Sequence, residues 1–294
     1  MRYRVRHQTR YRYAEAVSLC HNEAYLLPRS CLRQRCLRSS LKIKPGPALV
    51  REREDFFGNR VSYFAVQSRH DRLQVTADSE VEVWPLREAA LFGSPPWETV
   101  RDQVAADISP AGLEARDFML ASAFTPLDGA IRDFARPSFA RGRPLLEAVR
   151  ELTERIHLEF TYEPGFTTIV TPLAEVLAHR RGVCQDFAHL QIACLRSLGL
   201  PARYVSGYLE TLPPPGQTKL QGADASHAWI AVYDPEQGWT DFDPTNDQLV
   251  GEQHITTAWG RDYGDVTPLK GIIFGGGKHT LEVAVDVERL EAAG

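Results

Sequence analysis

The N-terminal segment of the chain alternates strictly between two classes of residue. Arginine or glutamine occupies every even position from Arg2 to Arg12, whereas tyrosine, valine, histidine or threonine occupies every odd position from Tyr3 to Tyr13. A period of two is that of a half-buried β-strand with one solvated face. Because the basic and the aromatic residues lie on opposite faces, the pattern indicates a sheet surface and not a nucleic-acid-binding stripe.

Further short β-like runs follow this strand and are separated by turn signals. They cover residues 41–43, 60–66, 73–76 and 80–84. Short strands with frequent turns favour a β-sandwich. Beyond residue 90 the pattern becomes helical, and 294 residues fit two domains of about 100–200 residues each. We therefore predict an N-terminal β-sandwich domain over residues 1–90 and a second domain over residues 91–294, which opens with a helical connector.

The second domain has an α+β pattern. Apolar residues recur at helical spacing between Leu145 and Ile156, and a second apolar stripe runs between Gly182 and Gly199. Helical patterns also cover the connector, and strand patterns follow the two helices. The connector helices are at 97–105 and 129–135, and the strands are at 202–209, 225–233, 239–242 and 281–287. Helices followed by antiparallel strands predict a helix packed on an antiparallel sheet.

Composition restricts the cellular setting and the partners. A net charge of -4 gives no general attraction to nucleic acid or to anionic membranes. The basic start lacks an apolar secretory segment, and no stretch approaches about 18 consecutive apolar residues. We expect a cytoplasmic protein with no nucleic-acid partner and no membrane partner. Its five cysteines are then expected as free thiols, and the oligomeric state stays open.

One cysteine lies where a nucleophile is favoured. Cys184 is at or next to the start of the second predicted helix, where unpaired N–H groups and the helix dipole stabilise a thiolate. Downstream, His227 lies on a predicted strand and Asp243 at the end of the next one, which is the order of a Cys-His-Asp triad. We favour Asp243 over Asp241 because we expect strand alternation to turn Asp241 to the opposite face. Cys194 lies on the apolar stripe and is assigned to the core.

Several segments together resemble the transglutaminase-like superfamily of papain-like cysteine enzymes. They are Gly182-Val-Cys-Gln-Asp-Phe-Ala-His189, Leu198-Gly-Leu-Pro-Ala-Arg-Tyr-Val-Ser-Gly-Tyr208, Ser226-His-Ala-Trp229 and Asp243-Pro-Thr-Asn246. Segments 7–11, 27–29 and 55–59 resemble the β-rich domain that precedes this core in bacterial members, and His254 and 260–266 are similar to the same subgroup. The resemblance implies a papain/transglutaminase-like core with Cys184 as nucleophile, His227 as general base and acid, and Asp243 as the partner of the histidine.

The resemblance further implies a cofactor-independent cysteine protease or amidase that acts on a peptide or protein amide substrate through a thioester acyl-enzyme. Acyl transfer to an amine and a non-catalytic binding module that keeps the fold are the alternatives. Tyr162 resembles an aromatic oxyanion-donor position, with core packing as its alternative. Asp186, Asp224 and Tyr263 are candidate residues of the substrate cleft, and for Asp186 a helix-capping or surface role stays open.

Metal and phosphate motifs are missing from the sequence. No CxxC, HExxH or EF-hand pattern occurs, so no metal centre is predicted. Gly275-Gly-Gly-Lys278 resembles part of a phosphate-binding loop, but Ile272 stands where the first glycine is needed and His279 where serine or threonine is needed. We interpret this segment as a flexible turn.

Overall fold

A computed structural model describes residues 1–85, 93–211 and 225–290. The strands in these ranges are β1 (Arg2–Ala24), β2 (Gln34–Lys44), β3 (Leu49–Glu54), β4 (Arg60–Val66), β5 (His70–Val83), β6 (Thr161–Tyr162), β7 (Arg181–Gly182), β8 (Ala202–Leu209), β9 (Ala225–Asp234), β10 (Gly238–Asp243), β11 (Gln248–Leu249), β12 (His254–Gly260), β13 (Leu269–Gly275) and β14 (His279–Leu290). The helices are α1 (Trp97–Ala106), α2 (Pro110–Asp117), α3 (Gly129–Ala135), α4 (Leu145–Glu159), α5 (Leu173–His179) and α6 (Cys184–Ser197), with a 3₁₀ turn at Arg136–Ser138. None of these helices combines the length and the hydropathy needed to cross a membrane.

Strand β1 organises the N-terminal β-rich region. Its 23 residues lie in a seven-stranded sheet. Five strands of this sheet have the order β2-β5-β1-β4-β3, and the other two, β13 and β14, pair with β1. The first half of β1 pairs with β5 and β14, and the second half pairs with β4 and β13. The sheet encloses an apolar cluster that includes Val17, Phe64 and Val75. The β-rich N-terminal region expected from the sequence is confirmed.

The two faces of β1 have the predicted character. The odd residues Tyr3 and Val5 are buried, whereas the arginines lie on the outer face of the sheet. There Arg4 lies 3.5 Å from Glu80 on β5 and 3.9 Å from Glu288 on β14. Arg6 and Arg10 make similar contacts with carboxylates of the same two strands. The arginines of β1 therefore face carboxylates of β5 on one side and carboxylates of β14 on the other.

The second half contains the transglutaminase-like core expected from the sequence. A five-stranded antiparallel sheet has the order β11-β10-β9-β8-β12. Helix α6 packs against β8 and β9 as well as against α3 and α4, and it is buried from Asp186 to Arg196. Cys194 is fully buried in this core, as its place on the apolar stripe predicts. A deeply buried helix holds its first residue in a fixed position, and that residue is Cys184.

Buried hydrogen bonds join the two halves. The amide of Asn59 donates to the carbonyl oxygen of Trp259 over 2.7 Å and accepts from the Trp259 N–H over 2.9 Å. The same amide oxygen accepts a hydrogen bond from Arg29. Gln34 makes an equivalent pair of bonds with the backbone of Thr256, each 2.8 Å long. Strand β12 is thus attached to the N-terminal region along much of its length.

The C-terminal strands differ from the sequence-based expectation. The strand predicted at 281–287 is present as β14, but it pairs with β1 and not with the sheet of the second half. The glycines after Phe274 form the turn between β13 and β14, as predicted, and Gly275, Gly276 and Gly277 all have positive φ. The predicted boundary near residue 90 lies outside the described residues, so the division at that position stays a prediction.

Candidate active site

A short turn presents Cys184 at the start of a helix. Arg180 ends α5 with a left-handed φ of 55°, and β7 then pairs with β6 before α6 begins. The carboxylate of Asp186 accepts the N–H of Val183 over 2.8 Å and the hydroxyl of Thr167 over 2.6 Å. Asp186 therefore caps the helix, which is one of the roles left open for it. Cys184 itself is partly exposed.

The histidine and the aspartate come from neighbouring strands. His227 lies on β9, and its Nε2 is 2.7 Å from Oδ2 of Asp243 at the end of β10. The two side chains are 7% and 0% exposed. Because Nε2 is taken by the carboxylate, Nδ1 is the ring nitrogen left for the thiol of Cys184, which lines the same cleft and contributes to the raised pKa of His227. The three residues named from the sequence thus lie at one site.

Asp243 has more partners than the sequence suggested. Its Oδ2 also lies 3.0 Å from Nε2 of His254 and accepts the side-chain amide of Asn246 over 2.7 Å. Its Oδ1 accepts the backbone N–H groups of Thr245 and Asn246 over 2.9 and 3.2 Å. Each of these contacts favours the ionised carboxylate and fixes its orientation.

These contacts set the charge states. Burial would raise the pKa of Asp243, but hydrogen bonds and charge from His227 and His254 outweigh it and hold that pKa far below its ordinary value. Burial would lower the pKa of His227, but Asp243 and Cys184 outweigh it and raise that pKa. For His254 burial prevails and lowers the pKa. At neutral pH the site therefore contains one carboxylate, one imidazolium and one neutral imidazole.

A cleft of about 460 Å³ opens at Cys184 and His227. Its walls come from both halves of the chain, because β1 and β14 contribute residues opposite those of the core. The residues that line it are His7, Thr9, Tyr11, Cys184, Gln185, Tyr204, Ser206, Ser226, His227, Ala228, Tyr263, Pro268, Leu269, Leu281, Val283 and Val285. Tyr263 is among them, as predicted, whereas Asp186 lines a separate cavity and Asp224 lies outside the described residues.

Comparison with known proteins agrees with this fold. The model of the bacterial transglutaminase-like N-terminal region matches residues 3–82, and that of the transglutaminase-like superfamily matches residues 132–244. An uncharacterized protein of Mycobacterium tuberculosis is 46% identical over 301 residues, which cover 99% of this chain and 93% of that protein. The chain belongs to the transglutaminase-like superfamily.

Two further proteins are similar to this chain, one in its fold and one in part of its sequence. A candidate cysteine protease from Cytophaga hutchinsonii has the same fold, with a TM-score of 0.78 at 22% identity over 99% of this chain and 91% of that one. A protein-glutamine gamma-glutamyltransferase of Pseudomonas aeruginosa is 30% identical over 131 residues, or 44% of this chain and 20% of that protein. The first shares the whole architecture, and the second only a part of the chain.

Asp241 lies on the same face of β10 as Asp243, contrary to the expectation from strand alternation. Residues two apart on a strand share a face, so alternation does not separate Asp241 from Asp243. The two carboxylates differ instead in their position along β10. Asp241 pairs with Ala231, and its Oδ1 accepts the indole N–H of Trp229 over 3.1 Å, whereas Asp243 lies closer to the end of the sheet and contacts His227. Asp243 is thus the carboxylate that contacts His227, as expected, but the reason is its position along the strand and not the alternation of faces.

Tyr162 lies near the nucleophile. It pairs in register with Gly182, two residues before Cys184. Its side chain is 52% exposed, and its ring centroid lies 6.5 Å from that of the buried Phe187. Burial and the charge of Cys184 both raise the pKa of Tyr162. The phenol therefore keeps its proton and is able to donate a hydrogen bond next to the thiol.

One group of described residues has the composition of a metal site. The ligand atoms of His227, Asp243 and His254 lie within 4.8 Å of one another. However, both imidazoles direct Nε2 to the same carboxylate oxygen. A metal ion here would have to displace those hydrogen bonds and would remove His227 from Cys184.

His254 and Asn246 both contact Asp243, although neither is a site residue predicted from the sequence. Both belong to segments that carry the family resemblance, so a signal was present. Asn246 follows Asp243 by three residues in a turn, a spacing that favours a local side-chain contact. His254 comes from β12, at the other edge of the sheet from β10 and β11, and no spacing rule relates it to Asp243.

Proposed function

We propose that this protein is a cysteine-dependent hydrolase of peptide or related amide bonds that uses Cys184, His227 and Asp243. The observation that carries the proposal is the 2.7 Å contact between His227 and a buried carboxylate, combined with the placement of His227 and Cys184 in the same cleft. The raised pKa of His227 supports an imidazolium that stabilises the thiolate at neutral pH. The cleft at Cys184 provides access for a substrate.

The reaction has two steps. The thiolate of Cys184 attacks the amide carbonyl and forms a C–S bond, while the Cys184 N–H and the Tyr162 hydroxyl donate to the developing oxyanion. His227 transfers its Nδ1 proton to the leaving nitrogen, the C–N bond breaks, and a thioester remains. His227 then takes a proton from water, the hydroxide displaces the thiolate, and a carboxylic acid leaves. Asp243 holds the ring throughout and stabilises its cationic form.

Acyl transfer to an amine is the second candidate. The local similarity to a protein-glutamine gamma-glutamyltransferase favours it, because both reactions share the thioester and differ only in the group that attacks it. A primary amine in place of water would give an amide product. A module that binds peptides without hydrolysing or transferring them is the third candidate.

Mass spectrometry separates these functions. The protein is incubated with a peptide library in H₂¹⁸O, with and without a primary amine, beside a Cys184→Ala variant and a Cys36→Ser control at a distant, partly buried thiol. We expect ¹⁸O-labelled cleavage or deamidation products from the wild type and from the control only. Amine adducts in place of ¹⁸O products would select acyl transfer. Equal turnover by Cys184→Ala, or none by the wild type, would overturn the proposed function.

A further inference from the structure

The lining of the cleft is uncharged apart from the catalytic pair Cys184 and His227. None of its lining residues in the described ranges is Asp, Glu, Lys or Arg. Beside the nucleophile it carries tyrosines and aliphatic side chains, among them Tyr11 and Tyr263 as well as Leu269, Leu281 and Val283. This contrasts with the charged outer face of the same sheet. A cleft of this composition favours uncharged groups, because a charged group would lose hydration without gaining a partner.

Strand β14 carries its apolar face beyond the core. Val285 and Val287 are buried against Tyr3 and Val5. Leu281 and Val283 continue the same face, but they are 53% and 51% exposed. Glu282 between them points to the outer face, where it lies 3.9 Å from Arg10. On this face of β14, Leu281 and Val283 are therefore exposed where the strand borders the cleft, whereas Val285 and Val287 are buried.

Strand β1 completes this wall with neutral polar groups. His7 and Thr9 are 2% and 3% exposed, and Nε2 of His7 lies 2.8 Å from the hydroxyl of Thr9. Burial lowers the pKa of His7 to about 4, so the ring is neutral at physiological pH. The wall opposite Cys184 thus has no charge to attract an acidic or a basic side chain.

We propose that Leu281 and Val283 form an apolar subsite that receives an uncharged aliphatic or aromatic side chain next to the reacting amide. This inference rests on the proposed function and names its substrate class. Continuity of the two side chains with Cys184 in one cleft identifies the occupant as part of the substrate. Discrimination through one apolar subsite is of the order of 10-fold to 100-fold in kcat/KM.

The test uses two substitutions on adjacent residues of β14. Val283→Lys puts a cation into the subsite, and Glu282→Lys puts the same charge on the outer face. The substrates are acetylated Gly-X-Gln-X-Gly amides with X as Leu, Ser, Lys or Glu. We expect the wild type and Glu282→Lys to prefer Leu over Lys and Glu by about 10-fold or more in kcat/KM. Val283→Lys should lose that preference and gain relative activity on the Glu peptide. A preference that is absent from the wild type, or unchanged in Val283→Lys, would overturn the subsite.

Two further measurements keep the outcomes distinct. Iodoacetamide is too small to need the subsite, so its rate with Cys184 should be equal in all three proteins if their active sites are intact. Peptide binding to the Cys184→Ala variant reports the subsite without turnover, and we expect the same preference for Leu. Selective binding with no turnover by the wild type would refute the hydrolase and retain the subsite. Equal binding of all four peptides would refute the subsite whether or not the enzyme is active.

Discussion

At the residue scale, the distinguishing feature of the site is a carboxylate shared by two imidazoles. Both His227 and His254 contact Oδ2 of Asp243, yet their environments drive their pKa values in opposite directions. Of the two rings, His227 is the one that lines the cleft with Cys184, and it is also the one whose pKa is raised. In the proposed reaction His254 acts only through Asp243 and is therefore a positioning residue.

Substitution of His254 should lower activity without removing it. His254→Ala deletes one hydrogen bond to a buried carboxylate, worth about 1.5–3 kcal/mol, so we expect kcat/KM to fall about 10-fold to 100-fold. His254→Gln retains an N–H donor and should recover part of the loss. The pH profile of kcat/KM is the decisive measurement, because a merely structural defect would lower the whole profile without moving its limbs. If His254→Gln and His254→Ala behave alike, the hydrogen bond is not what matters.

Alkylation against pH tests the ion pair. The raised pKa of His227 means that its proton stays bound through neutral pH and is lost only as the pH rises through the raised value. Pairing with this imidazolium should let Cys184 react with iodoacetamide at a lower pH than an ordinary thiol does, since ordinary thiols react mainly near or above their pKa of about 8.5. In His227→Ala the profile of Cys184 should move to the ordinary range. Peptide mapping separates this signal from that of Cys36, and identical profiles in both proteins would contradict the pairing.

At the scale of single elements, the two faces of β1 contribute unequally to stability. The outer arginines make exposed ion pairs, which are worth about 0–1 kcal/mol each, whereas the inner residues are buried. We expect Arg6→Ala to change the free energy of unfolding by less than about 1 kcal/mol, and Val5→Ala to lower it by about 1.5–3 kcal/mol. Urea unfolding of both variants measures the difference. Equal losses would mean that the charged rows stabilise the sheet as much as its core does.

Helices and strands could be predicted from the sequence where buried apolar residues recur regularly along the element. Strand β1 and helices α4 and α6 meet that condition. Strand β3 does not, since all its residues are exposed, and α5 buries only Leu173 and Val176. Neither carries a periodic signal, and neither was predicted. The same limit applies to the site, because chain order led to Cys184, His227 and Asp243, whereas His254 and the β14 wall depend on which strands pair.

At the scale of the whole molecule, the cleft exists only because the two halves are joined. Asn59 is fully buried at that join and bonds to Arg29, Asp55 and both backbone groups of Trp259. Removal of the amide leaves several buried polar groups without a partner, which is costly. The attachment of β12 also fixes His254, because that residue begins the same strand.

Loss of the Asn59 amide should therefore affect stability and activity together. We expect Asn59→Ala to lower the free energy of unfolding by about 2–4 kcal/mol and to reduce kcat/KM, although Asn59 makes no contact with the described residues of the triad. Gln67→Ala, at an exposed position of the N-terminal half, is the control and should be neutral. Urea titration followed by tryptophan fluorescence gives the midpoint. An unchanged midpoint in Asn59→Ala would show that the halves are held together elsewhere.

The pairing of β1 with β14 has a consequence for biosynthesis. Residues that become hydrogen-bonded neighbours are made about 270 or more positions apart, so at about 5–20 residues per second β1 waits of the order of 10–60 s for this partner. During that interval one edge of a long strand is open to pairing with another nascent chain. The arginines at alternate positions repel an identical strand. Carboxylates of β5 reach Arg4 and Arg6 early, whereas the β14 partners of Arg4 and Arg10 are made last. Like charges along this open edge disfavour its pairing with the same strand of another unfinished polypeptide.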